Sequence, residues 1–190
     1  MKRLETENHN TKEYYNIALI DHLKEAGIDY DDMWRIETLL SEYRGGNLLD
    51  IGCGISPVCL VAKGRYPWAE VYGIDFADEL IDKQKSSYKT INYSVGDFYT
   101  LPFDDEFFSY VVLGEVLEHS ERPKEVIAEA MRVLKKRGIL AVSVPNNETN
   151  DNHYYQQHIW SFGEEDMRDM FENPTVKILN NNIIVHVTKS

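Results

Sequence analysis

Before residue 47, apolar residues recur with the period of a helix. After it, short apolar runs typical of strands alternate with segments that have the period of a helix. In the first part, apolar residues recur at helical spacing over 14–27 and 31–43, which predicts two helices. In the second part, short apolar runs closed by turn residues alternate with stretches of helical spacing. The predicted strands are 47–51, 70–75, 91–96, 109–115 and 138–145, and the predicted helices are 56–66, 77–88, 122–137 and 163–171.

Strands that alternate with helices predict a three-layer α/β fold, in which a parallel sheet carries helices on both faces. The end of the chain has another pattern, since 175–190 reads as two strands joined by the Asn180–Asn182 turn, an antiparallel hairpin. No internal repeat or linker composition divides the sequence. We therefore expect a single domain over 1–190, made of an N-terminal helical cover (1–46), a core (47–145), and a lid loop, helix and terminal hairpin (146–190).

Composition narrows the classes of partner. The 190 residues include 32 acidic and 20 basic side chains, for a net charge of −12. This charge repels phosphate backbones and disfavours a nucleic-acid partner. No apolar run reaches the roughly 18 residues that span a bilayer, and no apolar stretch follows the first basic residues as in a secretory signal. Cys53 and Cys59 match no zinc spacing, so we expect free thiols in a reducing cytoplasm. The pattern predicts no particular oligomeric state.

The stretch NLLDIGCGISP, residues 47–57, predicts a strand that runs into a glycine-rich turn. Gly52 and Gly54 allow the backbone to approach a ligand closely, and Ser56 with Pro57 is typical of a helix start. The spacing differs from the dinucleotide pattern GxGxxG, and Asp50 would repel a pyrophosphate. A carboxylate at this place favours a cationic ligand such as S-adenosylmethionine, which carries an ammonium and a sulfonium.

Two further acids follow the next two strands. Asp75 ends the second predicted strand and is placed to accept hydrogen bonds from ribose hydroxyls. Asp97 follows the third, where it could accept from an adenine amino group, with Phe76 or Phe98 packed on the base. The alternative is that each aspartate only closes an Asx turn. Three acids after three successive strands favour one ligand over three unrelated turns.

With these motifs the sequence resembles the class I S-adenosylmethionine-dependent methyltransferases that act on small molecules. The resemblance rests on LDIGCG, GID, GDFYTLPF, VVLGEVLEH and RVLKKRGILAVSVPN, and covers 48–145. It implies a Rossmann-like sheet of seven strands, mostly parallel with an antiparallel last strand. It departs from the fuller pattern at Ser56, where a third glycine often stands. The cofactor residues that it implies, with neighbours in the same loops, are Asp50, Gly52, Cys53, Gly54, Asp75, Phe76, Asp97, Phe98 and Glu115. It also implies that N-terminal helices cover the site, with Tyr14 and Tyr15 near the cofactor.

The segment GEVLEHSERP follows the fourth predicted strand and concentrates ionisable groups. If it opens as a helical turn, Glu115, Glu118 and His119 share one face. His119 is the candidate general base, because an imidazole titrates near neutral pH, and Glu118 is a second catalytic candidate.

The same segment supports a metal as an alternative. Its E-x-x-E-H arrangement resembles metal-dependent methyltransferases, namely small-RNA 2′-O-methyltransferases and ubiquinone-pathway O-methyltransferases. In the RNA enzymes a further histidine comes from the loop after the fifth strand, where His158 stands here. The resemblance therefore implies a divalent metal on Glu115, Glu118, His119 and His158. The opposing interpretation is that LEH is a common sequence in this superfamily and implies no metal.

Residues 146–162 are too long and polar for a tight turn and carry four aromatic side chains. Long loops at a catalytic edge are often lids or binding elements. The candidate acceptor contacts are Tyr154, Tyr155, His158 and Trp160. For Trp160 and Phe162 an anchoring role in the core is an equal alternative.

The sequence as a whole predicts a cytoplasmic methyltransferase that uses S-adenosylmethionine to methylate a small molecule, with oxygen as the expected acceptor atom. Three alternatives remain. A nucleotide-dependent oxidoreductase is disfavoured by Asp50, a regulatory module would bind the cofactor without turnover, and methylation of an RNA 2′-hydroxyl is disfavoured by the charge.

Overall fold

The computed structural model describes residues 1–4, 10–17, 33–148 and 157–190. Residues 12–17 are helical, and a 3₁₀ turn spans Leu117–His119. The elements in chain order are β1 (Lys2–Arg3), α1 (Met33–Leu39), β2 (Leu48–Ile51), α2 (Val58–Arg65), β3 (Val71–Asp75), α3 (Asp78–Ser87), β4 (Asn92–Val95), β5 (Phe108–Gly114), α4 (Pro123–Val133), β6 (Leu134–Pro145), β7 (Trp160–Ser161), α5 (Glu164–Asp169), β8 (Thr175–Leu179) and β9 (Asn182–Thr188).

Seven strands form the main sheet in the order β4-β3-β2-β5-β6-β9-β8. Only β9 runs against its neighbours, since it pairs antiparallel with both β6 and β8. The predicted fold class is therefore confirmed. The turn between β8 and β9 has Asn180 and Asn181 at φ of 44° and 62°, a region that asparagine tolerates better than most residues. Strands β1 and β7 form a separate antiparallel ladder.

Each face of the sheet packs against its own helices, as the alternation along the strands requires. In β5, Val111 and Leu113 face the cluster that contains α4 residues, whereas Tyr110 and Val112 face the cluster that contains residues of α1 and α2. Burial on both faces explains why these strands are continuously apolar. Because β2 to β5 are mutually parallel, the loops after them lie along one edge of the sheet.

The helix predicted over 122–137 ends earlier, at Val133. Leu134 is fully buried and pairs with Phe108 on β5, so the chain enters the sheet at that residue. The register then shifts before Ile139 pairs with Tyr110, and Arg137 has a φ of 62° in between. Tertiary pairing overrides the helical propensity of the basic residues here.

Most of the other helices differ from their predicted boundaries by fewer residues. Helix α2 begins at Val58 with Pro57 as its cap, and Ser56 Oγ accepts from the backbone N–H of Val58 at 3.4 Å. Most of the helix predicted over 14–27 lies outside the described residues, as do 31 and 32 ahead of α1. Within the described part of the chain, no helix is long and apolar enough to cross a membrane.

Candidate active site

The turn after β2 is held in a conformation that only glycine adopts freely. Gly52 and Gly54 have φ of 65° and 41°. A Cβ on Gly52 would lie 2.7 Å from Cγ2 of Val116, so the turn and the segment after β5 are in close contact. The backbone N–H of Cys53 donates to the carbonyl of Ile74 at 3.0 Å. This hydrogen bond ties the glycine turn to β3.

Asp75 holds the same turn with its side chain. Its Oδ2 accepts from the N–H of Gly54 at 2.9 Å, and its Oδ1 accepts from the N–H of Ala77 at 2.9 Å. Burial raises the pKa of Asp75, and the two backbone N–H groups oppose that rise. The residue predicted to bind ribose therefore also shapes the glycine turn.

Asp50 lies on β2 beneath the turn and is 2% exposed. Burial, and then the nearby charge of Asp75, raise the pKa of Asp50 to about 8. The thiol of Cys59 donates to Asp50 Oδ2 at 3.8 Å, and both cysteines are free and buried. A cationic ligand beside Asp50 would favour its ionised form.

The residues predicted for the adenine lie at the surface beyond β4. This strand ends at Val95, so Asp97 follows it by two residues, and its Oδ1 accepts from the N–H of Tyr99 at 2.8 Å. This contact is an Asx turn, the alternative that the sequence left open. Phe98 packs edge-on to Tyr99, with ring centroids 4.7 Å apart. On the other side, Phe76 contacts the ring of Tyr15 at 5.2 Å.

Glu115 departs from the predicted helical face. It has a φ of 57° just before the 3₁₀ turn, and its Oε1 accepts from Ser143 Oγ at 2.7 Å. An ion pair of 3.9 Å links it to Arg35 of α1. The structure therefore brings Glu115 to Ser143 and Arg35.

Glu118, His119 and His158 come together and offer ligand atoms within 4.8 Å of one another. Glu118 is fully buried, and within the described residues neither of its carboxylate oxygens has a hydrogen-bond partner. Burial, followed by the charge of Glu115, holds the pKa of Glu118 well above its usual range. Two imidazoles and an unpaired carboxylate form a site that could hold a cation.

The two imidazoles have different partners. His158 Nδ1 lies 2.6 Å from Oε2 of the buried Glu148, the kind of carboxylate contact that orients metal-binding histidines. His119 Nδ1 lies 3.1 Å from the hydroxyl of Tyr15 and 3.3 Å from the carbonyl of Gln157. Burial, and then His158, lower the pKa of His119 to about 3. At neutral pH this imidazole is uncharged, as a metal ligand must be, and it is a weak proton acceptor.

The remaining acceptor candidates do not all reach this cluster. Trp160 donates its indole N–H to the carbonyl of Ser120 at 2.8 Å and packs against the core, which is an anchoring contact. Phe162 is fully buried in the same core. Tyr154 and Tyr155 lie outside the described residues. Of the predicted acceptor contacts that the structure describes, His158 is the one that joins Glu118 and His119.

Sequence reasoning missed the partners that orient the cluster. Asn10, Glu148 and Gln157 carry no motif, and each lies far along the chain from His119. The carboxylate of Glu148 stands ten positions before His158, a spacing without meaning until the loop is folded. Only contact information between distant segments could have identified them.

Comparisons with known proteins fit this geometry. A family described as a methyltransferase domain matches residues 49–142. Demethylmenaquinone methyltransferase of Thermotoga maritima is 26% identical over 141 residues, which cover 72% of this chain and 62% of that protein. The chain thus spans less than two thirds of the length of this curated relative.

Two solved structures share the fold. A chain from the complex between the Haloferax volcanii Trm112 methyltransferase activator and a methyltransferase has a TM-score of 0.76 and 17% identity, and covers 93% of this chain and 98% of that one. Magnesium protoporphyrin IX methyltransferase from Synechocystis with bound S-adenosylhomocysteine has a TM-score of 0.70 and 14% identity. The match covers 94% of this chain and 98% of that one.

The sheet order and these likenesses define a class I methyltransferase fold. Residues 49–142 match the methyltransferase domain family, and S-adenosylmethionine is the cofactor that the motifs predicted for it. The residues present fit that cofactor. The turn keeps its backbone free of a side chain at Gly52, where a Cβ would meet Val116, and the buried Asp50 would gain from an ammonium beside it.

Proposed function

We propose that this chain transfers a methyl group from S-adenosylmethionine to a hydroxyl oxygen of a small molecule bound over Glu118, His119 and His158. The observation that most supports this is the buried carboxylate of Glu118, whose oxygens have no partner within the described residues although two imidazoles lie close by. An unpaired buried polar group costs about 1–3 kcal/mol. Such a cost is reasonable where a ligand completes the site.

The position of this cluster supports the proposal. Val116, two residues before Glu118, contacts the glycine turn at Gly52. Tyr15 contacts Phe76 with its ring and His119 with its hydroxyl. The cluster therefore adjoins the predicted cofactor loops, as methyl transfer to a bound acceptor requires.

The reaction makes modest demands on the protein. When bound, the cofactor supplies a methyl group that its sulfonium already activates. As the new carbon–oxygen bond forms and the carbon–sulfur bond breaks, the acceptor hydroxyl must lose its proton. With a pKa of about 3, His119 is a poor base for that proton. A group that lowers the pKa of the hydroxyl itself suits these residues better.

We therefore extend the proposal to a divalent metal held by Glu118, His119 and His158. One carboxylate with two imidazoles suits manganese, iron, cobalt or zinc, whereas magnesium prefers oxygen ligands. A metal ion in this position would acidify a bound hydroxyl. Glu115 stays outside this ligand set, because Ser143 and Arg35 engage it.

The acceptor is proposed to be a small aromatic compound, because the Thermotoga maritima relative is named for methylation of demethylmenaquinone. A related menaquinone enzyme is named a C-methyltransferase, so the proposal of oxygen as the acceptor atom rests on Glu118, His119 and His158 alone. The net charge of −12 argues against RNA. The cytoplasm is the expected compartment.

The test has two stages. The first is a calorimetric titration with S-adenosylhomocysteine, for which we expect micromolar affinity that does not depend on metal. The second is release of S-adenosylhomocysteine in the presence of hydroxylated aromatic and aliphatic compounds, with manganese, magnesium or a chelator. We expect turnover with manganese and a loss of about 100-fold with the chelator or in Glu118→Gln.

The matched control is Glu79→Gln, an exposed acid on α3, which should leave binding and turnover unchanged. Absence of binding by the wild type would contradict methyl transfer. Binding without turnover on any acceptor would support the regulatory module instead, and full turnover in Glu118→Gln would remove the cluster from the mechanism.

A further inference from the structure

Two residues of the segment 10–17 contact His119. Tyr15 places its hydroxyl 2.8 Å from Asn10 Oδ1 and 3.1 Å from His119 Nδ1. The amide nitrogen of Asn10 donates to two main-chain carbonyls, that of His119 at 3.2 Å and that of Gln157 at 3.0 Å. The side chains of Asn10 and Tyr15 thus contact both the imidazole ring and the main-chain carbonyl of His119.

The partners assign every proton in this network. Both carbonyls can only accept, so the Asn10 nitrogen must face them and its oxygen must face Tyr15. The Tyr15 hydroxyl therefore donates to Asn10, and its oxygen is left to accept from His119 Nδ1. The carbonyl of Gln157, 3.3 Å from the same nitrogen, also requires a donor there. The proton of the neutral ring is on Nδ1, and Nε2 carries a lone pair.

We propose that Asn10 and Tyr15 are positioning residues that fix His119 as its Nδ1–H tautomer, so that the Nε2 lone pair is available to a metal ion. This inference rests on the proposed function for its purpose. Neither the motifs nor the comparisons assign Asn10 to the site, and the resemblance placed Tyr15 only near the cofactor, with no role toward His119. The partner of a metal-binding histidine commonly sets its tautomer and ring orientation, and here a tyrosine and a main-chain carbonyl take that place.

Asn10 has a second effect on the same site. Its amide joins the carbonyl of His119 to that of Gln157, which directly precedes His158. One side chain therefore sets the spacing of the two backbone segments that carry the imidazoles, whose ring centroids lie 4.7 Å apart. Loss of this bridge should loosen the ligand pair, whereas loss of the Tyr15 hydroxyl removes a contact to the His119 ring and leaves both bonds from the Asn10 nitrogen in place.

The test uses the metal-free full chain and does not depend on turnover. Nitrogen-15 NMR of the histidine side chains distinguishes a protonated from an unprotonated ring nitrogen. We expect His119 in the wild type to be protonated at Nδ1 and unprotonated at Nε2. In Tyr15→Phe, which keeps the ring contact with Phe76, we expect a measurable population of the other tautomer.

Titration with cobalt(II) alone, followed by its visible absorption, gives the second readout. We expect Tyr15→Phe and Asn10→Ala to bind cobalt about 10-fold more weakly or worse, with Asn10→Ala the more affected. The matched control is Tyr88→Phe at the exposed end of α3, which should match the wild type. Thermal unfolding checks that each variant folds.

The outcomes separate the two proposals. If the wild-type His119 carries its proton on Nε2, or if both variants keep the wild-type tautomer and cobalt affinity, the positioning role is wrong. If the wild type shows the expected tautomer but binds no cobalt, the metal in the proposed function fails, while the assignment of His119 stands.

Discussion

The proposed cofactor side and the proposed acceptor side of this site are built in different ways. The glycine turn, Asp50 and Asp75 lie within 26 residues on neighbouring strands, and the hydrogen bond from the Gly54 N–H to Asp75 spans 21 positions. The acceptor side joins three distant segments, represented by Asn10, His119 and His158. A local cradle can be inferred from a motif, whereas a site assembled from distant segments requires the fold.

The largest effect should come from Gly52→Ala, which affects both sides at once. Its new Cβ would meet Val116 at 2.7 Å, and its φ of 65° strains any side chain. We expect the affinity for S-adenosylhomocysteine to fall about 5- to 150-fold, since such strain costs about 1–3 kcal/mol. Calorimetry measures it. The control is Gly64→Ala in α2, where a Cβ meets nothing within 4 Å. Wild-type affinity in Gly52→Ala would show that the turn is no cradle.

Glu148→Gln should affect the acceptor side alone. It replaces the carboxylate that lies 2.6 Å from His158 Nδ1. We expect cobalt affinity to fall about 10-fold, as is typical for outer partners of metal ligands, while affinity for S-adenosylhomocysteine stays the same. Equal losses of both affinities would mean that the two sides are not separable.

The cofactor side should show a pH dependence that the variant Asp50→Asn lacks. With a pKa of about 8, Asp50 is protonated in the free protein at pH 6. A cationic ligand favours the carboxylate, so its binding releases a proton and affinity should rise up to about 10-fold per pH unit between pH 6 and 8, then level off. Calorimetric titrations with S-adenosylhomocysteine at several pH values test this prediction. A flat profile in the wild type would contradict a cation beside Asp50.

The same group has an opposite effect on stability. The folded protein holds a proton on Asp50 that the unfolded chain releases above about pH 4, so this group's contribution to the free energy of unfolding falls as pH rises from 4 to 8. Denaturant titrations of the wild type and Asp50→Asn should diverge over that range, with the variant gaining relative stability toward pH 8.

The smallest effect should come from Trp160→Phe. This change removes the indole N–H that donates to Ser120 but keeps most of the packing. We expect a loss of about 1 kcal/mol in the free energy of unfolding and no change in the Michaelis constant for the acceptor. A raised Michaelis constant with unchanged stability would favour the acceptor contact over the anchor.

The sequence predicted the features that depend on nearby residues and missed those that depend on contacts between distant segments. Alternating periods predicted the sheet, and the run around Asp50 predicted the glycine turn after β2, because both depend on neighbours in sequence. The 122–137 helix was predicted too long, because Leu134 is captured by pairing with Phe108 on β5. Helical spacing grouped Glu115 with Glu118. However, Glu115 itself has a left-handed backbone conformation just before the 3₁₀ turn, and its side chain contacts Ser143 instead. No local pattern reports either event.

The bridge made by Asn10 also has a consequence for the order of folding. It spans 109 positions to His119 and 147 positions to Gln157, so its closure must wait until the sheet has brought those carbonyls together. We expect the acceptor side to be the last part of the molecule to form and the first to open. Amide hydrogen exchange should then find His119 less protected than the β2 and β5 amides. A protein arranged in this way would retain its cofactor cradle in partly opened states in which it could no longer react.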